Sequence, residues 1–274
     1  MIEPQPMAAE EQPSASESAP SGSTAPVSPQ TPHSEPSISI ALQGMLTVLV
    51  VVVFMITFVV QAFRVPSESM ENTLLIGDFV LADKLHFGSA PGMLDRLLPY
   101  RQIQRDDIIV FHYPVDPSQY FVKRVIGLPG DHIHLRNGVV YLNGSALQES
   151  FVIHSFPYFN FYRDNFPAQA ALSAEVDRKW RREMPKHIDD GDLVVPADSY
   201  FVMGDNRDRS LDSRYWGFVP RAGVLGRPLV IYMSLKENRN AERRGSDGKL
   251  VSSGGVLAHL LQLARWDRVF HLVH

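Results

Sequence analysis

The pattern of apolar and polar positions divides the chain into three parts, of which the clearest is a long apolar run. Residues 38–63 are apolar apart from small or amide side chains, and within Met45 to Val60 the only polar residues are Thr47 and Thr57. An α-helix rises about 1.5 Å per residue, so about 20 apolar residues are enough to cross a bilayer. The pattern therefore predicts one transmembrane helix over residues 38–63.

The segment before this run, residues 1–37, is rich in Pro, Ser, Ala and Glu and contains no Lys, Arg or aromatic residue. Such a segment buries too little apolar surface to offset the loss of chain entropy, so we predict that it is disordered. A cleaved export signal would need a basic region before its apolar part. Because no basic residue precedes this apolar run, we expect an uncleaved anchor.

Residues 64–274 show the short apolar, β-branched segments that are typical of a mainly β domain. Asn137-Gly138 lies between two alternating runs in residues 132–142 and predicts a hairpin. The irregular, aromatic region of about 145–195 is interpreted as an inserted cap, and residues 256–273 as an amphipathic helix. The remaining predicted strands are Asp78–Leu85, Asp107–Tyr113, Tyr120–Ile126, Leu193–Val195, Tyr200–Met203 and Leu229–Met233.

Charge and composition narrow the classes of function. The formal net charge is −4, and the tail holds five of the 30 acidic residues, which leaves 25 acidic against 26 basic residues in the rest of the chain. Nucleic-acid binding is normally accompanied by a clustered basic excess, so no nucleic-acid partner is expected. The chain has no cysteine, which excludes disulfides, thiolate nucleophiles and Cys-ligated metals.

Two serines stand just beyond the apolar run. Pro66 fixes its own φ and favours extended geometry at Val65, so the chain enters this segment in an extended form. In an extended segment, residues two apart point the same way, so Ser67 and Ser69 project into one site. One serine would be a nucleophile and the other a donor to an oxyanion, although serine-rich loops after membrane helices are common without catalysis.

A serine nucleophile needs a base, and the predicted strand Tyr120–Ile126 supplies a lysine for that role. Strand alternation places Phe121, Lys123 and Val125 on one face, so the amine would lie between two apolar side chains. Burial lowers a lysine pKa by up to about 3 to 5 units, which is enough to populate the neutral amine near neutral pH. The alternative is a lysine whose stem lies along a sheet edge with its ammonium in water.

A third segment, residues 204–217, combines charges, hydroxyls and amides with the aromatic pair Tyr215-Trp216 directly after a predicted strand. Aspartates there can pair with arginines, and a hydroxyl such as that of Ser210 can orient an amine. The spacing lacks the regular alternation and terminal Glu of a calcium loop. This composition indicates a turn that supports a reactive site.

Histidines and a basic cluster offer alternatives. His132 and His134 share one strand face and could form a metal pair, without an evident third ligand. A Ser-His-Asp triad with His112 and Asp116 is conceivable but leaves Lys123 unexplained. The cluster Arg178, Lys179, Arg181 and Arg182 around Trp180 is most simply a solvated helical face, with anionic lipid as the other interpretation.

Taken together, these segments resemble the bacterial type I signal peptidases, which are membrane-anchored Ser-Lys proteases. The resemblance covers most of residues 64–233 and is carried, in order along the chain, by Pro66-Ser67-x-Ser69-Met70 with Thr73-Leu74 and Gly77-Asp78, by Lys123-Arg124-Val125-Ile126-Gly127-Leu128-Pro129-Gly130-Asp131, and by Gly204-Asp-Asn-Arg-Asp-x-Ser210-x-Asp212-Ser-Arg214-Tyr-Trp-Gly217.

The resemblance implies a signal-peptidase-type β-sheet domain in which Ser69 is the nucleophile and Lys123 the general base. Ser67 and the Ser69 backbone N–H would donate to the oxyanion. The family cleaves leader peptides from exported preproteins after small residues at positions −1 and −3, through an acyl-enzyme. No cofactor and no metal is implied.

The resemblance also implies supporting residues and a location. Ser210 would position the lysine amine, and the ion pair of Asp212 with Arg214 would support it. The expected partners are signal peptides and the lipid bilayer, and the chain is expected to be a monomer in the bacterial cytoplasmic membrane with its catalytic domain on the outer side. The positive-inside tendency alone would predict the opposite orientation, because Arg64 and Lys84 follow the helix.

Two residues depart from the family pattern. Asn72 stands where the family usually has Pro, and Glu68 where it often has Gly. Neither change removes a catalytic group, but both are expected to alter the shape of the substrate groove. The open alternatives are a related peptidase with a narrower set of substrates and a membrane-anchored β domain that binds leader peptides without cleaving them.

Overall fold

The computed structural model describes residues 38–85, 101–156, 158–168, 173, 175–236 and 263–273. The chain divides into two compact units, Met1–Leu46 and Thr47–His274, and the second contains every strand. The predicted disordered tail, residues 1–37, lies outside the described residues.

The regular elements follow the chain from one long helix into a series of short strands. The helices are α1 (Ile38–Phe54), α2 (Phe161–Asp164), α3 (Arg178–Glu183) and α4 (Ser213–Trp216). The strands are β1 (Val60–Arg64), β2 (Asp78–Asp83), β3 (Ile108–His112), β4 (Tyr120–Gly127), β5 (His132–Arg136), β6 (Val139–Leu142), β7 (Ser145–Ala146), β8 (Ile188–Asp189), β9 (Asp192–Val194), β10 (Ser199–Met203), β11 (Val219–Pro220), β12 (Val224–Ser234) and β13 (His271–Leu272).

The apolar run forms α1 and a following π-helical turn, Met55–Val59. Its segment Ile40–Thr57 is long and apolar enough to span a membrane. The prediction of helix through residue 63 was wrong for the last four residues, because Val60–Arg64 pairs in antiparallel register with β2. Hydropathy does not separate these conformations, since β-branched and aromatic residues favour strands as well as apolar surroundings.

The larger sheet confirms the mainly β prediction, and its strands are arranged around one long strand, β12. Its order is β1-β2-β12-β3-β4-β10-β11, with β13 also paired to β12, and every pairing is antiparallel. The predicted strands in residues 78–85, 107–113, 120–126 and 200–203 form β2, β3, β4 and β10, and residues 229–233 lie within β12.

The smaller sheet has the order β7-β6-β5-β9-β8 and takes in part of the region of about 145–195 that is interpreted as an inserted cap. The predicted hairpin is confirmed as β5–β6, and Asn137 and Gly138 both adopt positive φ, as a tight hairpin turn requires. This sheet therefore begins at His132, before the region interpreted as the cap. The alternating pattern predicts a hairpin but does not specify the sheet to which it belongs. In the same region, α3 exposes the four predicted basic side chains and buries Trp180.

The C-terminal segment is not the predicted amphipathic helix. Residues 256–262 lie outside the described residues, whereas Trp266–Arg268 is a 3-10 turn and β13 pairs with β12. Two arginines of this segment contact the buried carboxylate of Asp78. Arg268 Nη2 donates to Asp78 Oδ2 (2.7 Å) and to the Thr73 carbonyl (2.9 Å). Arg265 lies 3.6 Å from the same carboxylate. Strand pairing and these ion pairs, rather than the apolar face of a helix, hold this segment against the domain.

Candidate active site

The turn that carries the two serines is held between buried apolar side chains. Val65, Met70 and Leu74 are each at most 2% exposed and anchor the turn in a core that β1, β2 and β12 also line. Ser67 is extended, and a single 3-10 turn begins at Glu68 directly after it. The hydroxyls of Ser67 and Ser69 lie 3.2 Å apart, which agrees with the prediction that both serines point into one site.

Lys123 reaches this turn from β4. Its Nζ donates to Ser69 Oγ at 2.6 Å and to the Val122 carbonyl at 3.2 Å. The lysine is 4% exposed, and its amine lies 5.3 Å from the centre of the Phe121 ring. The amine is therefore enclosed in the protein and in contact with a serine hydroxyl, which excludes the alternative in which it extends into water.

The surroundings of the amine change its acidity. Burial lowers the pKa of Lys123 from its ordinary value to about 8, while the carboxylates of Asp212 and Asp205 raise it and the Arg214 charge lowers it further. Desolvation disfavours the charged ammonium, and here it outweighs the two carboxylates. A neutral amine is accordingly accessible at mildly alkaline pH.

Behind the amine lies a buried ion pair. Arg214 donates to both oxygens of Asp212, each at 2.8 Å, and both side chains are at most 1% exposed. Burial opposes ionisation of Asp212, but the Arg214 charge and hydrogen bonds from Arg214, Ser210 and the Gly204 N–H hold the pKa of its carboxyl below the ordinary value. The carboxylate thus remains charged beside the lysine.

Ser210 belongs to this same group of polar atoms. Its hydroxyl accepts from the Gly204 N–H at 3.1 Å and interacts with the Asp212 carboxylate. In the part of the chain that the structure describes, no hydrogen bond joins it to the Lys123 amine. Ser210 is therefore related to the lysine only through Asp212, whose charge raises the pKa of Lys123.

Gly204 begins the third motif, but the sequence did not reveal what this residue does. A Cβ atom at this position would lie 2.4 Å from both the Ser69 carbonyl oxygen and the Ser210 hydroxyl. The next loop residue but one, Asn206, donates its backbone N–H to that same carbonyl at 3.1 Å. Only glycine allows the 204–210 loop to pack this closely against the turn that carries Ser67 and Ser69.

A second buried ion pair, also missed from sequence, joins three segments of the site. Arg124 follows Lys123 on the opposite face of β4 and donates to both oxygens of Asp205, each at 2.8 Å. The Thr73 hydroxyl donates to Asp205 Oδ2 at 2.5 Å. The adjacent positions of Lys123 and Arg124, with opposite facing side chains, are the signal from which this pair could have been found.

The two residues that depart from the family pattern, Asn72 and Glu68, both form side-chain contacts with other segments. Asn72 has φ of 99°, which a proline ring fixed near about −65° cannot adopt. Its Nδ2 donates to the Phe151 carbonyl at 3.1 Å. Glu68 forms an ion pair with Arg209, whose guanidinium donates to the Glu68 carboxylate.

The histidine alternatives find other partners. His112 Nδ1 contacts the Pro117 carbonyl, while the Asp116 carboxylate accepts from Ser118 and Gln119, so His112 and Asp116 do not form a pair. His134 Nδ1 lies in hydrogen-bond contact with Asp192 Oδ1 at 2.7 Å. Among the described residues, no group of three or more His, Asp or Glu side chains is placed to hold a metal ion.

A narrow, mostly apolar cavity of about 180 Å³ opens beside the serine and the lysine. It lies between the turn that carries the two serines, β4 and the loop around residue 210. Its lining includes Ser67, Ser69, Phe121, Lys123, Arg209 and Leu211. A side chain bound there would bring its adjoining backbone next to the Ser69 hydroxyl.

Comparisons with known proteins show the family to which the chain belongs. Residues 38–233 match the family described as signal peptidase, peptidase S26. Signal peptidase I of Pseudomonas fluorescens is 34% identical over 207 residues, covering 69% of this chain and 70% of its own length, and that of Pseudomonas aeruginosa is 34% identical over 204 residues, covering 68% and 69%. A signal peptidase I crystal structure from Enterococcus faecalis V583 has 35% sequence identity, covers 46% of this chain and 97% of its own, and has a TM-score of 0.35. The chain belongs to the signal peptidase family, peptidase S26, and is a membrane-anchored serine peptidase that removes signal peptides from preproteins.

Proposed function

We propose that cleavage proceeds by attack of Ser69 on the peptide carbonyl, with the neutral amine of Lys123 as general base. The observation that carries this proposal is the 2.6 Å contact between Lys123 Nζ and Ser69 Oγ inside a buried setting. A base must lie within hydrogen-bond reach of the proton it removes, and a pKa near the working pH makes it efficient.

The reaction has two halves. Lys123 takes the Ser69 hydroxyl proton as Oγ bonds to the carbonyl carbon, and the resulting ammonium returns that proton to the leaving amine as the peptide bond breaks. Water then attacks the acyl-enzyme ester, the amine takes a proton from the water, and Ser69 Oγ leaves with that proton. Ser69 and Lys123 end in their starting states.

The oxyanion formed in each half requires donors aimed at the carbonyl oxygen. The Ser67 hydroxyl and the Ser69 backbone N–H are proposed for this role. The 3.2 Å separation of the two hydroxyls supports it, because the oxygen of a carbonyl bonded to Ser69 would lie within reach of Ser67.

Ser210, Asp212 and Arg214 are proposed as positioning residues. Ser210 contacts the Asp212 carboxylate, Arg214 keeps that carboxylate charged, and the carboxylate in turn raises the pKa of Lys123. Their effect reaches the amine as the charge of Asp212 rather than as a direct hydrogen bond, and through it the three residues set the acidity of the amine and support its position.

The cavity beside Ser69 supports the proposed preference for small side chains at positions −1 and −3. Its volume is about 180 Å³ and most of its lining is apolar. Apolar side chains such as Phe121 and Leu211 line it, so a small apolar side chain bound there buries its surface against them.

For location, we propose a single-pass protein of the bacterial cytoplasmic membrane with its catalytic domain on the outer side, acting as a monomer. Ser69 lies twelve positions after Thr57, the end of the apolar segment. Even a fully extended chain of that length reaches only about 40 Å. The nucleophile therefore works near the membrane surface, where a leader peptide leaves the bilayer.

The test is cleavage of a preprotein in detergent by the wild type and by Ser69→Ala and Lys123→Ala variants. We expect both variants to lose cleavage while they remain folded, and Ser145→Ala and Lys186→Ala, which change exposed residues, to retain it. Full activity of Lys123→Ala would refute the proposed base. A wild-type protein that binds leader peptides but leaves them intact would favour the binding-only alternative.

A further inference from the structure

An ion pair borders the candidate active site without taking part in the proposed chemistry. Glu68 directly precedes Ser69 in the nucleophile turn, and Arg209 lies in the loop that carries Ser210. Arg209 Nη1 donates to Glu68 Oε2. The pair therefore bridges the two segments that approach each other at the mouth of the site.

Arg209 is the more accessible member of this pair. Its side chain is 40% exposed, against 18% for Glu68, and it lines the same cavity as Ser69 and Lys123. The guanidinium lies 4.6 Å from the centre of the Phe156 ring, which restrains its plane. A charged, oriented group thus faces solvent where a bound peptide would pass.

Arg209 also has hydrogen-bonding capacity to spare. A guanidinium carries five N–H donors in a fixed fork. Across the described part of the chain, Glu68 is the only side chain that accepts from it. The neighbouring carboxylate of Asp208 is already matched by His154 at 3.1 Å and Arg163 at 3.3 Å. Glu68 is therefore the acid that balances the charge of Arg209.

We propose that Arg209 determines specificity by binding an acidic side chain of the substrate close to the scissile bond, and that Glu68 tunes this preference by competing for the guanidinium. The inference rests on the proposed cleavage at Ser69. An arginine favours a carboxylate because two parallel N–H groups match its two oxygens. A basic substrate side chain in the same place would be repelled by Arg209.

The test compares two peptides that are identical except at one position, where one peptide has Asp and the other has Asn. This position is moved in turn through the three residues on either side of the scissile bond. At one position we expect wild-type kcat/KM to favour Asp by about 2- to 10-fold at low salt, the range of exposed to partly buried ion pairs. The ratio should approach one near about 1 M NaCl, where the screening length is about 3 Å.

Variants assign the preference to this pair. Arg209→Gln should bring the Asp-to-Asn ratio to one, whereas Glu68→Gln should raise it above the wild-type value because the guanidinium loses its competitor. Lys186→Gln, which removes the cation of an exposed ion pair with Glu183 outside the cavity, should keep the wild-type ratio. Because each ratio compares two peptides on one variant, a general loss of activity does not affect it.

Measurements of peptide binding test the role of Arg209 independently of the cleavage mechanism. In a Ser69→Ala background, the Kd ratio of the Asp and Asn peptides should show the same preference, and Arg209→Gln should abolish it. An Asp preference that survives Arg209→Gln, or equal Kd values for both peptides at every position, would overturn the role of Arg209. Peptides that bind with the predicted ratio but are never cleaved would count against the proposed mechanism and leave Arg209 as a binding residue.

Discussion

At the scale of single residues, Lys123 is subject to two opposing effects. Apolar surroundings lower its pKa to about 8, while two carboxylates favour its charged form. The result is an amine that can exist in either protonation state near neutral pH, which is the property that a general base requires. The same burial means that the folded protein carries an unfavourable charge at pH values below the pKa.

The acidity of this amine predicts how the cleavage rate depends on pH. Because only the neutral amine accepts the Ser69 proton, kcat/KM should rise about tenfold per pH unit at acidic pH and level off above about pH 8. The measurement is a pH series with a peptide substrate, with circular dichroism to show that the protein stays folded throughout. A flat profile between about pH 5 and 8 would contradict a titrating base.

The cost of burying the amine predicts that Lys123→Met stabilises the protein. Lysine in the unfolded chain keeps its ordinary pKa, so between about pH 8 and 10.5 the unfolded state binds more protons and the free energy of unfolding of the wild type rises with pH. Met carries no charge, so at pH 7 the variant should be more stable by up to about 3 kcal/mol.

Denaturant unfolding of the wild type and Lys123→Met at pH 7 and pH 10 tests this expectation. The difference between the two proteins should shrink at the higher pH. Lys186→Met, at an exposed lysine, should show no such difference. A loss of stability on Lys123→Met would mean that the contacts of the amine outweigh its desolvation.

Single residues also show how far sequence reasoning reaches. Ser67, Ser69 and Lys123 were predicted to share a site, and their hydroxyl and amine groups do meet. Gly204 could not be predicted, because its importance comes from how closely two loops distant in sequence approach. Local patterns indicate which side chains can react, but steric limits between loops appear only after folding.

At the scale of elements, prediction succeeded where the pattern was local and failed where pairing decided the conformation. The β5–β6 hairpin follows from Asn137-Gly138 alone. Residues 60–63 and 263–273 are compatible with a helix by hydropathy, yet β1 pairs with β2 and β13 with β12. Long-range hydrogen bonds, which no window of sequence contains, override local preference in both places.

The ion pairs on Asp78 are an element-scale contact that can be tested. Arg268 joins the C-terminal segment to β2 and to the loop after the nucleophile turn. Arg268→Gln removes a cationic partner of the Asp78 carboxylate, which is fully buried. We therefore expect the free energy of unfolding to fall by about 1 to 3 kcal/mol.

Urea denaturation measures this change, and Arg178→Gln on the exposed face of α3 provides the control. The control should differ from the wild type by less than about 0.5 kcal/mol. The Ser234 hydroxyl also donates to Asp78 Oδ1, at 2.6 Å. Equal stability of Arg268→Gln and the wild type would show that Arg265 and Ser234 are sufficient partners for Asp78.

At the scale of the whole molecule, the boundary between anchor and catalytic unit falls earlier than hydropathy suggests. β1 contributes five residue pairs to β2, and Phe63 is 8% exposed within the core that supports the nucleophile turn. The mainly β architecture could be inferred from the sequence, whereas this boundary depends on which strand forms the edge of the sheet.

This boundary predicts different behaviour for two shortened chains. A chain that begins at Val60 keeps β1 and should fold without a membrane and cleave a soluble peptide. A chain that begins at Val65 loses β1 and the Phe63 side chain, which should lower the free energy of unfolding by about 3 to 5 kcal/mol.

Thermal unfolding and peptide cleavage compare the two. Sedimentation with vesicles should show that both have lost the attachment given by α1. If the chain beginning at Val65 is as stable as the one beginning at Val60, β1 is dispensable and the boundary predicted from hydropathy is the functional one.

The contacts of Arg265 and Arg268 with Asp78 also fix an order of events during biosynthesis. Arg268 lies 195 residues after Thr73, whose carbonyl it binds. When the ribosome has already made Ser69 and Lys123, the residues that close the loop beside them do not yet exist. The segment from Thr73 to Asp78 therefore gains these contacts only after Arg268 has been made, so a partly made chain carries the serine and the lysine before it carries their complete support.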